Sequence, residues 1–354
     1  NINGLLSKIR NRDFVSFVST FDFVCLVETF IENFDNNVFN GYKAFCKPAF
    51  KLSKQGRRSG GVVCLIKNEF LQFVKVIDVK FANVCVTVID KKLFNTMKDI
   101  LYVCAYVPPE GSPFYTHFDI DNGIFSIEEC LTECMLEKDA YIVLCGDLNS
   151  RTSNISQNYI SNFTGYSQHK SHSLMYGRSS QDCHLNKHGK SLLDMCTTLD
   201  MVILNGVCKG DPDGCYTYIS ESGSSVNDYF IVSSELFAIL YDSCELCISE
   251  RIESDHMPVT LHMGFGNENV SDVHGTMKDK VIEKFVWNSE HSHLFSDALC
   301  SATIHMRIET AIGLIDTDVD IALNMFNECM KECAGCMKKR ILVNSSNKLD
   351  DWFD

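Results

Sequence analysis

A chain of 354 residues, 45% of them hydrophobic, is long enough for one large domain or two smaller ones around a sizeable core. The formal charge of −14 argues against a uniformly basic nucleic-acid-binding module, so contact with any polyanion is left to local patches. No apolar run reaches the ~18 residues of a membrane span, and the 18 cysteines often sit inside apolar runs, which fits a reducing compartment (nucleus or cytoplasm) better than a disulfide scaffold.

The opening Asn1-Ile2-Asn3-Gly4-Leu5 reads as the interior of a longer reading frame, without a signal peptide. Leu6, Ile9, Phe14, Phe17, Val18 and Phe21 follow helical spacing. Residues 23–27 then read as a buried strand ending at Glu28. From Lys43 to Lys67 every charged residue is basic, with Tyr42, Phe45 and Phe50 interleaved. This segment is either a solvated loop or a phosphate-tracking surface. Strands are expected over 61–66, 73–77, 84–89 and 101–106, the last stopped by Pro108-Pro109. Ile124, Ile127, Cys130, Leu131, Cys134 and Met135 mark an amphipathic helix, and 141–145 the next strand.

Residues 151–188 form a long polar loop, followed by a helix ending near Leu199 and strands over 201–204, 215–219, 226–232, 244–252 and 258–263. Strands in runs, with a few helices between them, point to an α/β four-layer sandwich in which two packed mixed sheets are flanked by helices. Composition shifts after Gly266, and Val319, Ala322, Phe326, Cys329 and Cys333 give a helical stripe. The expected division is 1–265 and a linker and helical C-terminal tail over 266–354. The CxxC pairs Cys244/Cys247 and Cys333/Cys336 lack a second knuckle at zinc-finger spacing.

The chemistry concentrates at strand ends. Asp147 and Asn149 follow one apolar run, Asp255 and His256 precede another, and Glu28 and Asp228 flank two more. Carboxylates held by rigid strands at a cleft suit hydrolysis of a phosphate ester at a divalent metal. Mg²⁺ needs only one or two such oxygens besides substrate phosphate. His256 can donate to a phosphate oxygen or accept a proton from water, with a neighbour such as Asp228 fixing its tautomer. Each of these residues alone is more often a turn, a cap or a surface group; their order along the chain is what sets them apart.

In that order the chain resembles the endonuclease/exonuclease/phosphatase superfamily. More narrowly, it is similar to the apurinic/apyrimidinic-endonuclease-like domain of LINE-type (non-LTR) retrotransposons. The resemblance rests on residues 1–5, Val27-Glu28-Thr29, Gly60-Gly61-Val62, 105–109, Gly146-Asp147-Leu148-Asn149, 186–189 with 192–194, 203–206, Tyr216-Thr217-Tyr218, Asp228-Tyr229 and 254–258, and covers about residues 1–265. The tail, with Phe285-Val286-Trp287 and Asp351-Trp352-Phe353, resembles the segment before a reverse transcriptase, with no polymerase following in this sequence.

The resemblance implies that Glu28 binds Mg²⁺ (or Mn²⁺), helped by Asn1 and Asp255, and that Tyr106 contacts the scissile phosphate. Asp147 orients or deprotonates water, Asn149 positions water and phosphate, and His256, paired with Asp228, stabilises the transition state or protonates. Either Asp147 or His256 serves as base. The implied activity is nicking of DNA to leave a 3′-hydroxyl, by a monomer without membrane contact, with Lys54, Arg57, Arg58 and Arg151 as DNA contacts. A phosphatase acting on a small-molecule or lipid phosphate, and an inactive relic, stand as alternatives. Asn227 stands before Asp228 where the family usually has an apolar residue.

Overall fold

The computed structural model describes residues 1–34, 38–52, 54–155, 177–252, 254–265, 280–285, 292–315 and 319–343. The chain divides into two compact units, Asn1–Asn267 and Glu268–Asp354. In the first, helices α1 (Leu5–Lys8) and α2 (Arg12–Val18) precede β1 (Phe23–Val27), β2 (Tyr42–Lys47), β3 (Val62–Lys67), β4 (Val74–Ile77), β5 (Val84–Ile89) and β6 (Asp99–Tyr106). Then come α3 (Pro113–Phe118), α4 (Gly123–Glu137), β7 (Ala140–Asp147), α5 (Lys187–Thr198), β8 (Met201–Ile203), β9 (Tyr218–Ser220) and β10 (Gly223–Ser225). The unit closes with β11 (Asp228–Ser233), α6 (Ser234–Leu240), β12 (Cys244–Ile248) and β13 (Val259–Met263).

Mostly apolar strands build a six-stranded sheet in the order β4-β5-β6-β7-β11-β8. It is mixed: β6 and β7 run parallel and the other neighbours antiparallel. A three-stranded antiparallel sheet, β1-β3-β2, and the β12–β13 hairpin face it. Between the layers pack Val27, Val62, Cys64 and Ile66 against Cys85, Tyr102, Cys104, Val143 and Cys145. The outer face of the large sheet is covered by α4 and α5 through Ile124, Ile127, Leu131, Leu192 and Met195. Leu5, Phe14 and Val18 cover β1 and β3 on the other side. This is the expected four-layer arrangement, and most strand cysteines behave in it as small buried hydrophobes.

Several boundaries differ from the sequence reading. The helical spacing over 6–21 is broken into two helices at Asn11, whose side chain accepts from Asp13 N and Phe14 N and starts α2 afresh. The segment read as loop or patch contains a strand, β2. Its exposed Lys43 hid a period-2 pattern, because an edge strand needs only one apolar face. The strand expected at 215–219 begins only at Tyr218, and that expected at 244–252 ends at Ile248. Cys244 lies with Cys208, their sulfurs 3.4 Å apart, rather than with Cys247. Gly146 answers a close approach: a Cβ there would lie 1.9 Å from the Ala105 carbonyl oxygen on the parallel neighbour β6.

Both ends of the long loop after Asn149 are tied down. Thr152 bridges Leu185, and the buried Arg178 donates to Asn205 O and Ser153 O; residues 156–176 lie outside the described residues. The second unit holds α7 (Ser292–Leu299), α8 (Ala302–Leu314) and α9 (Val319–Cys333), with Ile304, Cys329 and Cys333 as its buried centre. It also carries an antiparallel pair, β14 (Lys280–Phe285) with β15 (Lys338–Val343), that helical spacing did not announce. Of the two tail motifs, Val286-Trp287 and residues 351–353 lie outside the described residues. No helix among the described residues is long and apolar enough to cross a membrane.

Candidate active site

Two strands of the large sheet end side by side. β7 delivers Asp147 and β11 begins with Asp228, and the two residues are direct cross-strand partners. Both are buried. Asp228 is held from its own backbone: the Thr217 hydroxyl accepts from Asn227 N and Asp228 N (2.9 and 3.0 Å). Asn205, fully buried, donates to Asp228 O and accepts from Phe230 N (both 3.1 Å). Asn227 is half-buried, its N donating to the Thr217 hydroxyl and its O accepting from Leu148 N.

The loop before β13 brings His256 over this pair. Its Nδ1 lies 2.7 Å from Asp228 Oδ2 and its Nε2 3.9 Å from Asp147 Oδ2. The loop is pinned by Met257 N donating to Thr217 O and Ile219 N to Asp255 O, and the Tyr218 ring packs 4.9 Å from the imidazole. The carboxylate and imidazole atoms of Asp147, Asp228 and His256 all lie within 4.8 Å of one another.

Asn1 joins the cluster from the amino end. Its side-chain amide donates to Asp147 Oδ2 at 2.8 Å, and its α-ammonium lies 3.5 Å from Asp228 Oδ1. Glu28 stands on the parallel stretch, since Ile2 N donates to Val27 O and Gly4 N to Glu28 O. The Tyr106 hydroxyl donates to the Glu28 carboxylate. Asn149 turns away from β7 in the left-handed region (φ 45°). Its N donates to Asp147 Oδ1 and its amide to Val107 O, both at 2.9 Å. Asn186 caps α5 and also donates to Asn149 O and accepts from Arg151 N.

Seven of the eight residues expected in the catalytic and metal roles are thus linked by direct contacts into two groups. Asn1, Asp147, Asn149, Asp228 and His256 form one, and Tyr106 with Glu28 the other. Tyr106 also pairs with Asp147 across the β6–β7 ladder. Among the described residues, Asp255 is joined through its backbone carbonyl, which accepts from Ile219 N, and its carboxylate is outside the clustered set.

The expected DNA contacts separate. Lys54 and Arg57 are exposed; Arg57 stacks 4.3 Å over Phe30 and donates to Asn3 Oδ1, which sets it beside Glu28 and Asn1. Arg58 pairs with Glu32. The Arg151 guanidinium is held bidentately by the buried Asp182 (2.8 and 2.6 Å), which braces the loop. The supporting Thr217, Asn205 and Asp182 were not singled out as site residues in the sequence. The short pieces Tyr216-Thr217-Tyr218 and 203–206 carried Thr217 and Asn205, and Asp182 left no trace.

The electrostatics follow from burial. Burial and the Asp228 charge raise Asp147 to about 7, against the pull of His256 and the Asn1 ammonium. Burial also acts to raise Asp228, but His256 and the Asn1 ammonium win and hold it below the usual carboxylate value. Burial acts to lower His256, yet Asp228 and Asp147 raise it above 6.5, favouring the imidazolium. Burial, then Glu28, push Tyr106 up, so its hydroxyl stays protonated.

The model of the endonuclease/exonuclease/phosphatase family matches residues 1–256. The chain belongs to this family. Its members are hydrolases of phosphodiester and phosphate ester bonds and generally use divalent metals. Among solved structures, the catalytic domain of APE2 from Xenopus laevis is 14% identical, with 74% of this chain and 90% of that one covered and a TM-score of 0.50. The 3′ phosphatase NExo from Neisseria, bound to a product DNA hairpin, is 14% identical over 75% and 97% of the two chains, with a TM-score of 0.48. ANGEL2, a 2′,3′-cyclic phosphatase, is 14% identical over 72% and 84% of the two chains, with a TM-score of 0.40. No curated protein matches the chain at a significant level. At such identities the family's fold is what is shared.

Proposed function

We propose that this family member is a Mg²⁺-dependent DNA endonuclease of the LINE-type retrotransposon kind, with residues 1–265 as the catalytic domain and the remainder as the segment leading toward a reverse transcriptase. The observation that carries the reading is the Asp147–Asp228–His256 cluster at one rim of the sheets, with Asn1, Asn149, Tyr106 and Glu28 around it. A carboxylate pushed to about 7 by burial and a second carboxylate marks an acidic pocket whose charge a divalent cation relieves. The donors fit Mg²⁺, or Mn²⁺, because they are oxygens. Glu28 and the Asn1 side-chain oxygen would hold the ion, with Asp255 a further oxygen from the adjacent loop. When bound, the ion polarises a phosphoryl oxygen.

The protein's own groups divide the remaining work. Asp147, near neutral in its proton affinity, accepts the proton of the attacking water, and Asn149 orients that water. The water oxygen bonds to phosphorus as the P–O3′ bond breaks, and the departing O3′ takes a proton from solvent, leaving a 3′-hydroxyl and a 5′-phosphate. The His256 imidazolium, held by Asp228 through Nδ1, presents Nε2 to the charge that develops on the phosphate oxygens. Tyr106 steadies Glu28 and offers a neutral donor to the phosphate. Lys54, Arg57 and Arg58 form a basic rim for the DNA backbone, worked by a monomer in the nucleus or cytoplasm. Plasmid relaxation with Mg²⁺, beside Glu28→Ala and Asp147→Ala, tests the reading. Wild type nicks, and each variant loses on the order of 10²-fold or more. Turnover confined to small-molecule or lipid phosphates, or none in any variant, overturns it.

A further inference from the structure

Three cysteines face one another between the sheets. Cys25 comes from β1, Cys104 from β6 and Cys145 from β7, and their sulfurs all lie within 4.8 Å of one another. Cys104 and Cys145 are direct partners on the parallel ladder, and Cys25 reaches them from the facing sheet. The first two are buried and Cys25 is half-buried. A small hydrophobe needs no company of its own kind, and alanine or valine would fill such positions as well. Three sulfurs brought to one point by three strands have instead the number and type of donors that one soft ion takes. A Zn–S bond is about 2.3 Å long, so three sulfurs around one zinc stand roughly 4 Å apart. The cluster exceeds that spacing by less than an ångström, which side-chain rotation can close without moving a strand. The Tyr102 hydroxyl, 3.5 Å from Cys145 Sγ, is placed to donate to a thiolate there.

We propose that Cys25, Cys104 and Cys145 form an all-sulfur metal site, separate from the oxygen ligands of Mg²⁺, that holds one thiophilic d¹⁰ cation, Zn²⁺ or its heavier congener Cd²⁺. Each ligating thiol gives its proton to solvent, and no electron is transferred. Mg²⁺ does not compete, because it takes oxygen donors. Tyr106 and Asp147 follow Cys104 and Cys145 by two residues, and Glu28 follows Cys25 by three. An ion here ties together the three strand ends that carry those groups, about 7 Å along the strands from Tyr106 and Asp147. The site uses only these strands and stands whether or not the DNA-nicking reading does.

The full chain, stripped with a chelator and kept reduced by a phosphine, is titrated with Zn²⁺ and with Cd²⁺ under excess Mg²⁺. Native mass spectrometry counts the bound ions, and the Cd²⁺–thiolate charge-transfer absorption reports ligation by sulfur. Cys25→Ala, Cys104→Ala and Cys145→Ala should each weaken binding by about 100-fold or more, since even partners outside a metal's ligand shell cost 10–100-fold. Cys85→Ala, equally buried and paired with Cys104 on its other side, should leave it unchanged. So should Cys208→Ala, which removes the other close pair of sulfurs, with Cys244. A measurement on the wild type alone guards against variants that fail to fold: maleimide labelling of individual cysteines in mild urea, read by peptide mass. Labelling of Cys25, Cys104 and Cys145 should be about tenfold or more slower in the loaded chain than in the stripped one. Binding that survives all three replacements, or is lost equally in Cys85→Ala, overturns the proposal. So does labelling of the three at the same rate with and without the ion.

Discussion

Burial and the neighbouring Asp228 charge raise Asp147 to about 7 from 3.8, so in the metal-free protein its ionisation opposes folding. Between those two values the folded chain holds a proton that the unfolded chain has released, and stability falls as pH rises. Asp147→Asn should therefore flatten the stability profile between about pH 4 and 6 as it abolishes nicking; chelator-treated protein melted across that range shows it. An unchanged slope would assign the pH dependence elsewhere. His256 has the opposite character. Burial would lower it, but Asp228 lifts it, so its stabilising ion pair is complete below 6.5 and is lost as pH climbs through the raised value. In Asp228→Asn the imidazole pKa, followed by NMR, should fall; if it holds, the Asp228 pairing is not what favours the imidazolium.

At the scale of elements, the site depends on how the start of β11 is held. The Thr217 hydroxyl serves two buried N–H groups, and valine at that position keeps the volume but strands both. Thr217→Val should lower stability by about 1–3 kcal/mol for each unmet group and slow nicking, whereas Thr217→Ser should retain most of both. Urea midpoints and nicking rates separate the two. This support shows where the sequence stops being legible. The apolar runs of β3, β5, β6 and β7 and the acids at their ends are local patterns, so strands and the residues of the cluster could be read directly. The hold of Thr217 and Asn205 on Asp228 crosses 11 and 23 residues and leaves no periodic mark. The pairing of Arg151 with Asp182 was illegible for the same reason, since 31 residues separate them. β2 was concealed by Lys43 and Lys47, which an edge strand tolerates.

For the whole molecule, a net charge of −14 repels DNA at long range, yet salt screens exposed charges beyond roughly 8–10 Å, so a local basic rim decides contact. Arg57→Ala with Arg58→Ala should weaken DNA binding and make the log–log salt slope shallower by about one to two units, measured by titration from low to moderate salt. The same balance between local need and global property governs folding. Glu28 (φ 53°) and Asn149 (φ 45°) both adopt left-handed backbone, a conformation that disfavours a side chain such as glutamate by roughly 1–2 kcal/mol. Glu28→Gly would relieve that strain but leave the buried Tyr106 hydroxyl without its acceptor, so the two effects largely offset in melting temperature while the carboxylate is lost. A library of this protein sorted for thermal resilience alone would thus feel no pull to keep glutamate there, and the survivors that lost it would be inert.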